Sequence, residues 1–395
     1  GIDYMYRTVY LRRDRRPRVE SGHPWVFNSE IERVTGKPDP GSIVRVLNHA
    51  GAFIGIGYIN PQSQITVRLL TRQDEEINEA FFRRRITEVM SLRRKVVSDN
   101  SNAYRLVYGE ADYLPGLTID IYDRYASMQI LTLGLEKWTD TIVRVATELL
   151  DLKGIVLRND VPVRELEGLE QHVSFAGEPF DTLVTIKENG FSMLVDLWNG
   201  QKTGYFLDQR ENRAYIEPFV KGAEVLDCFS HTGSFAVHAA GFGAAKVTAV
   251  DISTLAVEGV AQNARLNNLT SIEGVEANAF DFLRRDVEQG KSYDVVLLDP
   301  PAFTKNKASV HSARRGYKEI NLRGLKLVRP GGFLITSSCS YHISRDEFLG
   351  VLAEAARDAH KQVKVVSIRG QGADHPVLLA AQETSYLKFV VLQVF

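Results

Sequence analysis

The sequence is poor in cysteine and has no long hydrophobic run. Its two cysteines, Cys228 and Cys339, are too few for a disulfide framework, and the nine histidines show no zinc-ligand spacing, so we predict no metal site. No apolar stretch reaches the roughly 18 residues that a membrane-spanning helix requires. The first residues lack the apolar segment of a signal peptide, and Gly1 to Tyr4 resemble a cloning remnant. We therefore expect a protein of the reducing cytoplasm that binds no membrane.

A strong excess of either charge is also missing, but the charges are unevenly placed. The 395 residues carry a net charge of −1, whereas residues 1–72 contain eleven basic and six acidic side chains. Five of the arginines fall in one short stretch, which contains Arg12, Arg13, Arg15, Arg16 and Arg18. Such a stretch attracts phosphate backbones, although a solvated, mobile arm explains the charge equally well.

The first half of the chain shows two kinds of secondary-structure pattern. Short apolar strands at 42–47, 53–58 and 65–70, separated by turn residues, favour a small β-barrel, and a charged helix is predicted over 74–97. Residues 101–200 mix strands and helices, with a hairpin predicted to turn at Asp123 and Arg124. This middle region indicates an α+β structure and by itself no chemistry.

From residue 201 onward, strands and helices alternate regularly. Continuous apolar strands at 224–226, 246–250, 293–298 and 332–336 alternate with helices at 235–240, 255–266, 317–327 and 346–359. Unbroken apolar character indicates strands buried on both faces, so we predict an α/β fold with a doubly wound parallel sheet. Two later strands, at 364–367 and 386–391, suit a hairpin at the edge of that sheet. Ligands bind outside the carboxyl ends of such strands, so candidate residues are sought there.

Acidic residues stand at the ends of the first two strands of this sheet. Asp227 could accept a hydrogen bond from an ammonium group, and Asp251 is placed to accept hydrogen bonds from ribose hydroxyls. The alternative is that Asp251 or Ser253 only caps the next helix. The loop after Asp227 contains a single glycine, Gly233, so a dinucleotide site of the G-x-G-x-x-G type is poorly supported.

Two prolines follow the next predicted strand, in the run Asp299-Pro300-Pro301-Ala302-Phe303. Prolines stop the strand and stiffen the chain, which holds Asp299 at the mouth of the sheet as an acceptor or proton carrier. Phe303 offers a face on which a nucleobase could stack. The alternative is a rigid turn with a capping aspartate.

The last parallel strand leads into Cys339, which is flanked by hydroxyl side chains. That position predicts a partly exposed thiol facing the same crevice as Asp299. Cys228 lies inside an apolar strand and fits an inert, buried residue. A free thiol has a pKa of about 8.5, so a catalytic Cys339 needs help from its surroundings.

Together these residues resemble a known family, the class I S-adenosylmethionine-dependent methyltransferases that make 5-methylcytosine in bacterial large-subunit (23S) ribosomal RNA. The matching motifs are D-C-F-S-H-T-G at 227–233, Asp251, D-P-P-A-F at 299–303 and S-S-C-S at 337–340. Further likenesses are G-H-P-W-V-F at 22–27, G-E-A-D-Y-L-P-G-L at 109–117, R-N-D at 158–160 and G-Q-K-T-G-Y-F-L-D-Q-R at 200–210. The resemblance therefore extends over nearly the whole chain.

The resemblance implies three domains, a cofactor and a partner. The domains are a PUA-like RNA-binding barrel at 5–73, a central α+β domain at 74–190 and the methyltransferase domain at 191–395. The cofactor is S-adenosylmethionine, the partner is ribosomal RNA, and the assembly is a homodimer. The implied cofactor-binding residues are Phe206, Gln209, Asp227, Phe229, Ser230, Thr232, Gly233, Asp251, Ile252, Asn278 and Asp299, with Asp281 as an alternative to Asn278 at the adenine. Substrate RNA is expected at Pro300, Pro301, Phe303, Arg12, Arg13, Arg15 and Arg16.

The implied mechanism uses Cys339 and Asp299 as the catalytic residues. Carbon 5 of cytosine is a poor nucleophile, and attack of the Cys339 thiolate at carbon 6 activates it. Asp299 would protonate or hydrogen-bond N3 of the ring. Some RNA cytosine methyltransferases carry a second cysteine directly after the two prolines to release the product, and that position is Ala302 here. A water or another base must then remove the carbon 5 proton.

Three other functions compete with this interpretation. Methylation of an exocyclic base nitrogen also uses a D-P-P motif with an aromatic residue but needs no cysteine. An RNA-binding or ribosome-assembly protein could keep the fold without catalysis. Nicotinamide-dependent oxidoreduction is disfavoured by the missing glycines.

Overall fold

The computed structural model describes residues 6–303 and 306–395, so Gly1 to Tyr4 lie outside the described residues. The chain forms two compact units. The first contains residues 6–186, 195–207 and 373–384, and the second contains residues 187–194, 208–372 and 385–395. Across the described ranges, no helix is long and apolar enough to cross a membrane.

The first unit begins with a six-stranded sheet. Its strands are β1 (Arg7–Leu11), β2 (Trp25–Phe27), β3 (Ile31–Val34), β4 (Ile43–Leu47), β5 (Phe53–Ile59) and β6 (Ile65–Thr71), in the order β2-β6-β5-β4-β1-β3. Only β1 and β4 pair in parallel. Gly57 allows β5 and β6 to approach each other closely, because a Cβ at this position would lie 2.0 Å from the Arg68 carbonyl oxygen. The three strands predicted between 42 and 70 are confirmed.

A second sheet follows in the same unit. Its elements are α1 (Glu79–Val96), β7 (Ala103–Tyr108), β8 (Leu117–Tyr122), β9 (Tyr125–Ile130), α2 (Leu133–Glu136), α3 (Thr139–Leu150), β10 (Gly154–Asn159), α4 (Val163–Leu166) and β11 (His172–Phe175). The strand order is β11-β10-β9-β8-β7, and Phe81, Phe82 and Ile142 belong to the core that α1 and α3 share with it. The hairpin at Asp123 is confirmed. Helix α1 begins later than predicted because the Asn78 side chain accepts a hydrogen bond from the Phe81 amide.

Buried hydrogen bonds to charged side chains bind two later segments of the chain into the first unit. The Arg93 guanidinium donates to the Asp374 carbonyl at 2.9 Å. Asp120 accepts two hydrogen bonds from Arg105, at 2.8 and 3.0 Å, and another from the Thr203 hydroxyl. Arg93 is also paired with Asp112 at 2.6 Å, so both charges are balanced inside the unit and the later segments complete their hydrogen bonding.

The hairpin β12 (Leu183–Glu188) and β13 (Phe191–Asp196) leads the chain from the first unit into the second and back. The second unit then continues with α5 (Arg210–Tyr215), α6 (Glu217–Val220), β14 (Glu224–Cys228), α7 (Ser234–Gly241), β15 (Lys246–Asp251), α8 (Thr254–Leu266), β16 (Ile272–Glu276), α9 (Ala279–Glu288), β17 (Tyr293–Leu298), α10 (Val310–Leu327), β18 (Val328–Ser338), α11 (Arg345–Asp358), β19 (Val363–Arg369) and β20 (Lys388–Val394).

These strands form one seven-stranded sheet in the order β16-β15-β14-β17-β18-β20-β19. The first five are parallel, and β20 runs antiparallel to both of its neighbours. Alternate residues enter two different cores: Leu226 and Val296 belong to one, and Val225 and Leu297 to the other. The predicted doubly wound sheet and its final hairpin are thus confirmed.

A fully buried ion pair joins the hairpin to α5 within the second unit. Glu188 accepts hydrogen bonds from Nε and Nη2 of Arg213 at 2.9 and 2.6 Å, and neither side chain is more than 1 % exposed. His238 lies beside them, and burial lowers its pKa to about 4. The imidazole is therefore neutral at pH 7, and Arg213 balances the Glu188 charge.

We expect Arg213→Met to lower the free energy of unfolding of the second unit by about 3 kcal/mol, because it leaves the Glu188 carboxylate buried and unbalanced. Urea denaturation measures the loss. The matched control is Glu273→Gln, which breaks an exposed pair with Lys246 and should change stability by less than about 0.5 kcal/mol. Equal effects of the two variants would contradict the assignment.

Candidate active site

Four neighbouring strands bring polar groups to one edge of the seven-stranded sheet. Asp251 ends β15, Asp227 lies near the end of β14, Asp299 follows β17 and Cys339 follows β18. Register places these ends side by side, because Cys228 pairs with Leu298 and Leu298 with Thr336. The edge includes the point between β14 and β17 where the strand order reverses, which is where such sheets bind ligands.

The two cysteines differ in burial as predicted. The Cys228 side chain is fully buried, and burial raises the pKa of its thiol well above the ordinary value. Cys339 is partly exposed. Only the second thiol is therefore open to a substrate at this edge.

The loop after β14 is tightly folded against β15. Phe229, His231 and Gly233 all have positive φ angles, of 61°, 51° and 88°. The Ser230 amide donates to the Val250 carbonyl at 3.0 Å, and Thr232 in the same loop is partly buried. A Cβ at Gly233 would lie 3.1 Å from a Val260 methyl group, so a side chain there would be crowded as well as strained.

Asp251 holds this loop in place. One carboxylate oxygen accepts from the His231 amide and the other from the Ser253 amide, both at 3.0 Å. Ser253, rather than Asp251, is the N-cap of α8, because its hydroxyl accepts from the Ala256 amide. Ile252, the residue after Asp251, is 67 % exposed, so its apolar side chain is accessible beside the Asp251 carboxylate.

Asp227 is the most unusual group at the edge. Its side chain is 1 % exposed, and its Oδ2 atom has no hydrogen-bond partner within residues 6–303 and 306–395. Burial raises its pKa well above the ordinary value, and the negative charges of Asp299 and Asp251 raise it further. A cationic ligand would satisfy this oxygen and relieve the repulsion, so the site fits the ammonium group of an amino-acid moiety.

Asn278 follows β16 and caps α9. Its side-chain oxygen accepts a hydrogen bond from the Asp281 amide at 3.3 Å, and the Asp281 side chain itself is exposed. The amide nitrogen of Asn278 and the second lone pair of its oxygen are then the groups that it can offer to a ligand.

Gln209 makes contacts that the sequence did not predict. Its amide nitrogen donates to Asp299 Oδ1 at 3.2 Å and to the Ser337 hydroxyl at 3.1 Å, so it joins the ends of β17 and β18. Its oxygen accepts from Asn212, which fixes the direction of the amide. Phe206 lies in the first unit, where the Lys202 ammonium stands 4.9 Å from its ring centroid.

Phe303 packs in an aromatic cluster beside the two prolines. Its ring centroid lies 6.2 Å from Phe229, 5.8 Å from Phe280 and 4.6 Å from Tyr317. The ring is only partly buried, so it keeps some surface for a ligand. Pro300 is buried and Pro301 exposed, which makes Pro301 the more accessible of the two.

The structure divides the arginine stretch of the first unit into two groups. Arg12 donates to the Ile31 carbonyl, and Arg15 pairs with Glu20 at 2.7 Å. Arg13 and Arg16 are exposed and make no hydrogen bond or ion pair in the described part of the chain. The picture of one solvated arm is therefore wrong for part of the stretch, and Arg13 and Arg16 carry the charge that remains available.

This strand order, with acidic residues at the carboxyl ends and a reversed strand next to the last position, defines a class I methyltransferase fold. Residues 165–382 match the model of a family described as S-adenosylmethionine-dependent methyltransferases, and residues 9–72 match that of a PUA-like domain. The chain belongs to the S-adenosylmethionine-dependent methyltransferase family, and its cofactor is S-adenosylmethionine.

Full-length relatives carry a more specific name. A protein of Alteromonas mediterranea named ribosomal RNA large subunit methyltransferase I is 40 % identical, with 99 % of each chain covered. A protein of the same name from Shewanella frigidimarina is 42 % identical, covering 98 % of this chain and 99 % of its own.

Solved structures show the same fold at lower identity. A Streptococcus mutans chain described as a SAM-dependent methyltransferase has a TM-score of 0.82 at 22 % identity, covering 98 % of this chain and 99 % of its own. A methyltransferase complexed with S-adenosylhomocysteine has a TM-score of 0.84 at 21 % identity, with the same coverage.

We expect Asp227→Asn to stabilise the cofactor-free protein while weakening cofactor binding. The raised pKa means that native Asp227 keeps a proton that the unfolded chain releases, so it destabilises the fold above about pH 4, and this penalty grows with pH until the raised pKa is passed. The amide removes that penalty but offers a weaker partner to an ammonium group.

Denaturation between pH 5 and 8 measures the first effect, and calorimetry with S-adenosylmethionine measures the second, where we expect at least a tenfold loss of affinity. Asp346→Asn, an exposed position on α11, is the matched control and should change neither quantity. Wild-type affinity in Asp227→Asn would rule out contact with the cofactor.

Proposed function

We propose that the protein transfers a methyl group from S-adenosylmethionine to carbon 5 of a cytosine in large-subunit ribosomal RNA, through a covalent adduct between Cys339 and carbon 6. The RNA class follows the name of the two relatives that are about 40 % identical over their full length. The observation that supports the covalent route is the partly exposed Cys339 next to the strand that carries Asp299. Bacterial ribosomal RNA lies in the cytoplasm, and we place the protein there.

The proposed chemistry begins at the cytosine ring. The Cys339 thiolate forms a bond to carbon 6, and the electron pair of the 5,6 double bond moves towards carbon 5 and N3. Asp299 holds a proton at N3, where negative charge develops, and Gln209 keeps its carboxyl group in place. Bound S-adenosylmethionine supplies an electrophilic methyl group. Carbon 5 then loses its proton to a base or water, and Cys339 leaves as thiolate.

The cofactor would lie along the strand ends from Asn278 to Asp299. We assign the ammonium group to Asp227, the ribose to Asp251 and the adenine to Ile252 and Asn278. The other proposed contacts are Phe206, Gln209, Phe229, Ser230, Thr232, Gly233 and Asp299. The exposed apolar surface of Ile252 and the unsatisfied oxygen of Asp227 support this direction of binding.

The RNA would contact both units of the chain. A base inside a helix is out of reach of Cys339, so the target must leave its stack, next to Pro300, Pro301 and Phe303. The arginine stretch, Arg12, Arg13, Arg15 and Arg16, would hold the phosphate backbone. We keep the division into a PUA-like domain at 5–73, a central domain at 74–190 and a methyltransferase domain at 191–395 as part of the proposal, together with a homodimer.

We expect Cys339→Ala to lower RNA methylation at least 100-fold, because carbon 5 loses its activating group. Cofactor affinity should stay within twofold of wild type. Methylation of ribosomal RNA from cells that lack the gene, followed by mass mapping of the nucleosides, measures both the loss and the product. The control is Cys228→Ala, which removes the buried thiol and should retain activity.

Two results would contradict the proposal in different ways. Full activity of Cys339→Ala would favour methylation of an exocyclic base nitrogen instead, since that reaction needs no thiol. Failure of wild-type protein to bind S-adenosylmethionine at micromolar concentration would favour a non-catalytic RNA-binding protein.

We expect Arg13→Gln combined with Arg16→Gln to weaken RNA binding and to reduce its salt dependence. Each phosphate contact that is lost should lower the slope of log affinity against log salt by about 1. Filter binding between 50 and 200 mM salt gives the slope. The control is Arg265→Gln, which removes one exposed positive charge from α8. An unchanged slope in the double variant would remove these two arginines from the RNA contact.

A further inference from the structure

A buried lysine stands next to the strand end that carries Cys339. Lys388 is the first residue of β20 and pairs directly with Ser338, the last residue of β18. Its side chain reaches past that pair, and Nζ donates to the Ser340 carbonyl at 2.7 Å and the Tyr386 carbonyl at 2.6 Å. Lys388 thus fastens the chain on the far side of Cys339 to the neighbouring strand.

The ammonium group of Lys388 is buried among neutral partners. Lys388 is 7 % exposed, and no carboxylate within residues 6–303 and 306–395 lies within 4 Å of Nζ. Burial lowers its pKa to about 8, while Cys339 and, less strongly, Glu347 of α11 act to raise it. Tyr317 of α10 also faces Cys339, and its pKa is raised, mainly by burial.

A buried cation without an anionic partner is costly, and a neighbouring anion reduces that cost. Tyr317, whose pKa is raised, is neutral at pH 7, and Glu347 is half exposed, so water screens its charge. The thiolate form of Cys339 is the anion that the site can produce. Cysteine thiolates next to lysine are a common way to lower the pKa of a thiol.

We propose that Lys388 is a positioning residue of the reaction: its ammonium group favours the thiolate form of Cys339, and its two hydrogen bonds fix the turn that carries the thiol. The thiol proton leaves to solvent, the ammonium keeps its own proton, and the pair has no net charge. Attack on carbon 6 uses up the thiolate, and its expulsion restores the pair. This inference rests on the proposed role of Cys339 as nucleophile.

The test follows the ionisation of Cys339 directly. The rate of alkylation by iodoacetamide is measured from pH 5.5 to 10, and mass spectrometry of the Cys339 peptide separates this thiol from Cys228. We expect a midpoint below the value of about 8.5 for a free thiol in the wild type. In Lys388→Met the midpoint should rise by at least one pH unit, which makes alkylation at pH 7 about tenfold slower.

Two further variants separate charge from structure. Lys388→Arg keeps the cation and should keep the low midpoint, whereas Lys326→Met removes an exposed lysine of α10 and should change nothing. Cofactor affinity confirms that each variant is folded. A wild-type midpoint at or above 8.5 overturns the inference even if Lys388→Met fails to fold, and so does an unchanged midpoint in a folded Lys388→Met.

The outcomes also distinguish this inference from the proposed function. If Cys339→Ala loses methylation while Lys388→Met leaves the midpoint unchanged, only the role of Lys388 is lost. If the midpoint shifts but Cys339→Ala retains full activity, the thiol is not the nucleophile and the catalytic meaning of the pair is overturned with it.

Discussion

Repulsion among three carboxylates is the constraint on which the candidate active site depends. Parallel register brings Asp251, Asp227 and Asp299 to adjacent strand ends, where low dielectric strengthens their interaction. Backbone amides satisfy Asp251, and the Gln209 amide holds Asp299. Asp227 keeps one buried oxygen without a hydrogen bond among the described residues. The edge is therefore incomplete until a cation arrives, which matches a cofactor that carries both a sulfonium and an ammonium group.

The central strands of the seven-stranded sheet hold this edge rigidly in place. Each central strand sends alternate side chains into two separate cores, so the strand ends cannot shift without disturbing packing on both faces. Gln209 and Lys388 then tie neighbouring strand ends together, one on each side of β18. A thiol fixed in this way can meet a flat base at a defined angle, and a loop alone would hold it less well.

The order of strands and helices could be predicted from sequence wherever strands are buried on both faces, because continuous apolar runs mark them. Strand β16 was missed since it lies at the sheet edge and alternates apolar with charged residues. The positions of Asp227, Asp299 and Cys339 at strand ends could also be predicted. The bonds of Gln209 and Lys388 could not, because both join residues that are far apart in the chain and no spacing rule connects them.

The path of the chain has a consequence for how the protein is made. The buried, ion-paired groups Arg93 and Asp120 of the first unit make further hydrogen bonds to Asp374 and Thr203, which are translated later. Asp112 and Arg105 balance the charges of these two groups early in synthesis, but the hydrogen bonds to Thr203 and Asp374 can form only after those later residues have been translated. A product that stops before residue 373 would therefore keep the ion pairs of the first unit but lack the carbonyl that completes the hydrogen bonding of Arg93.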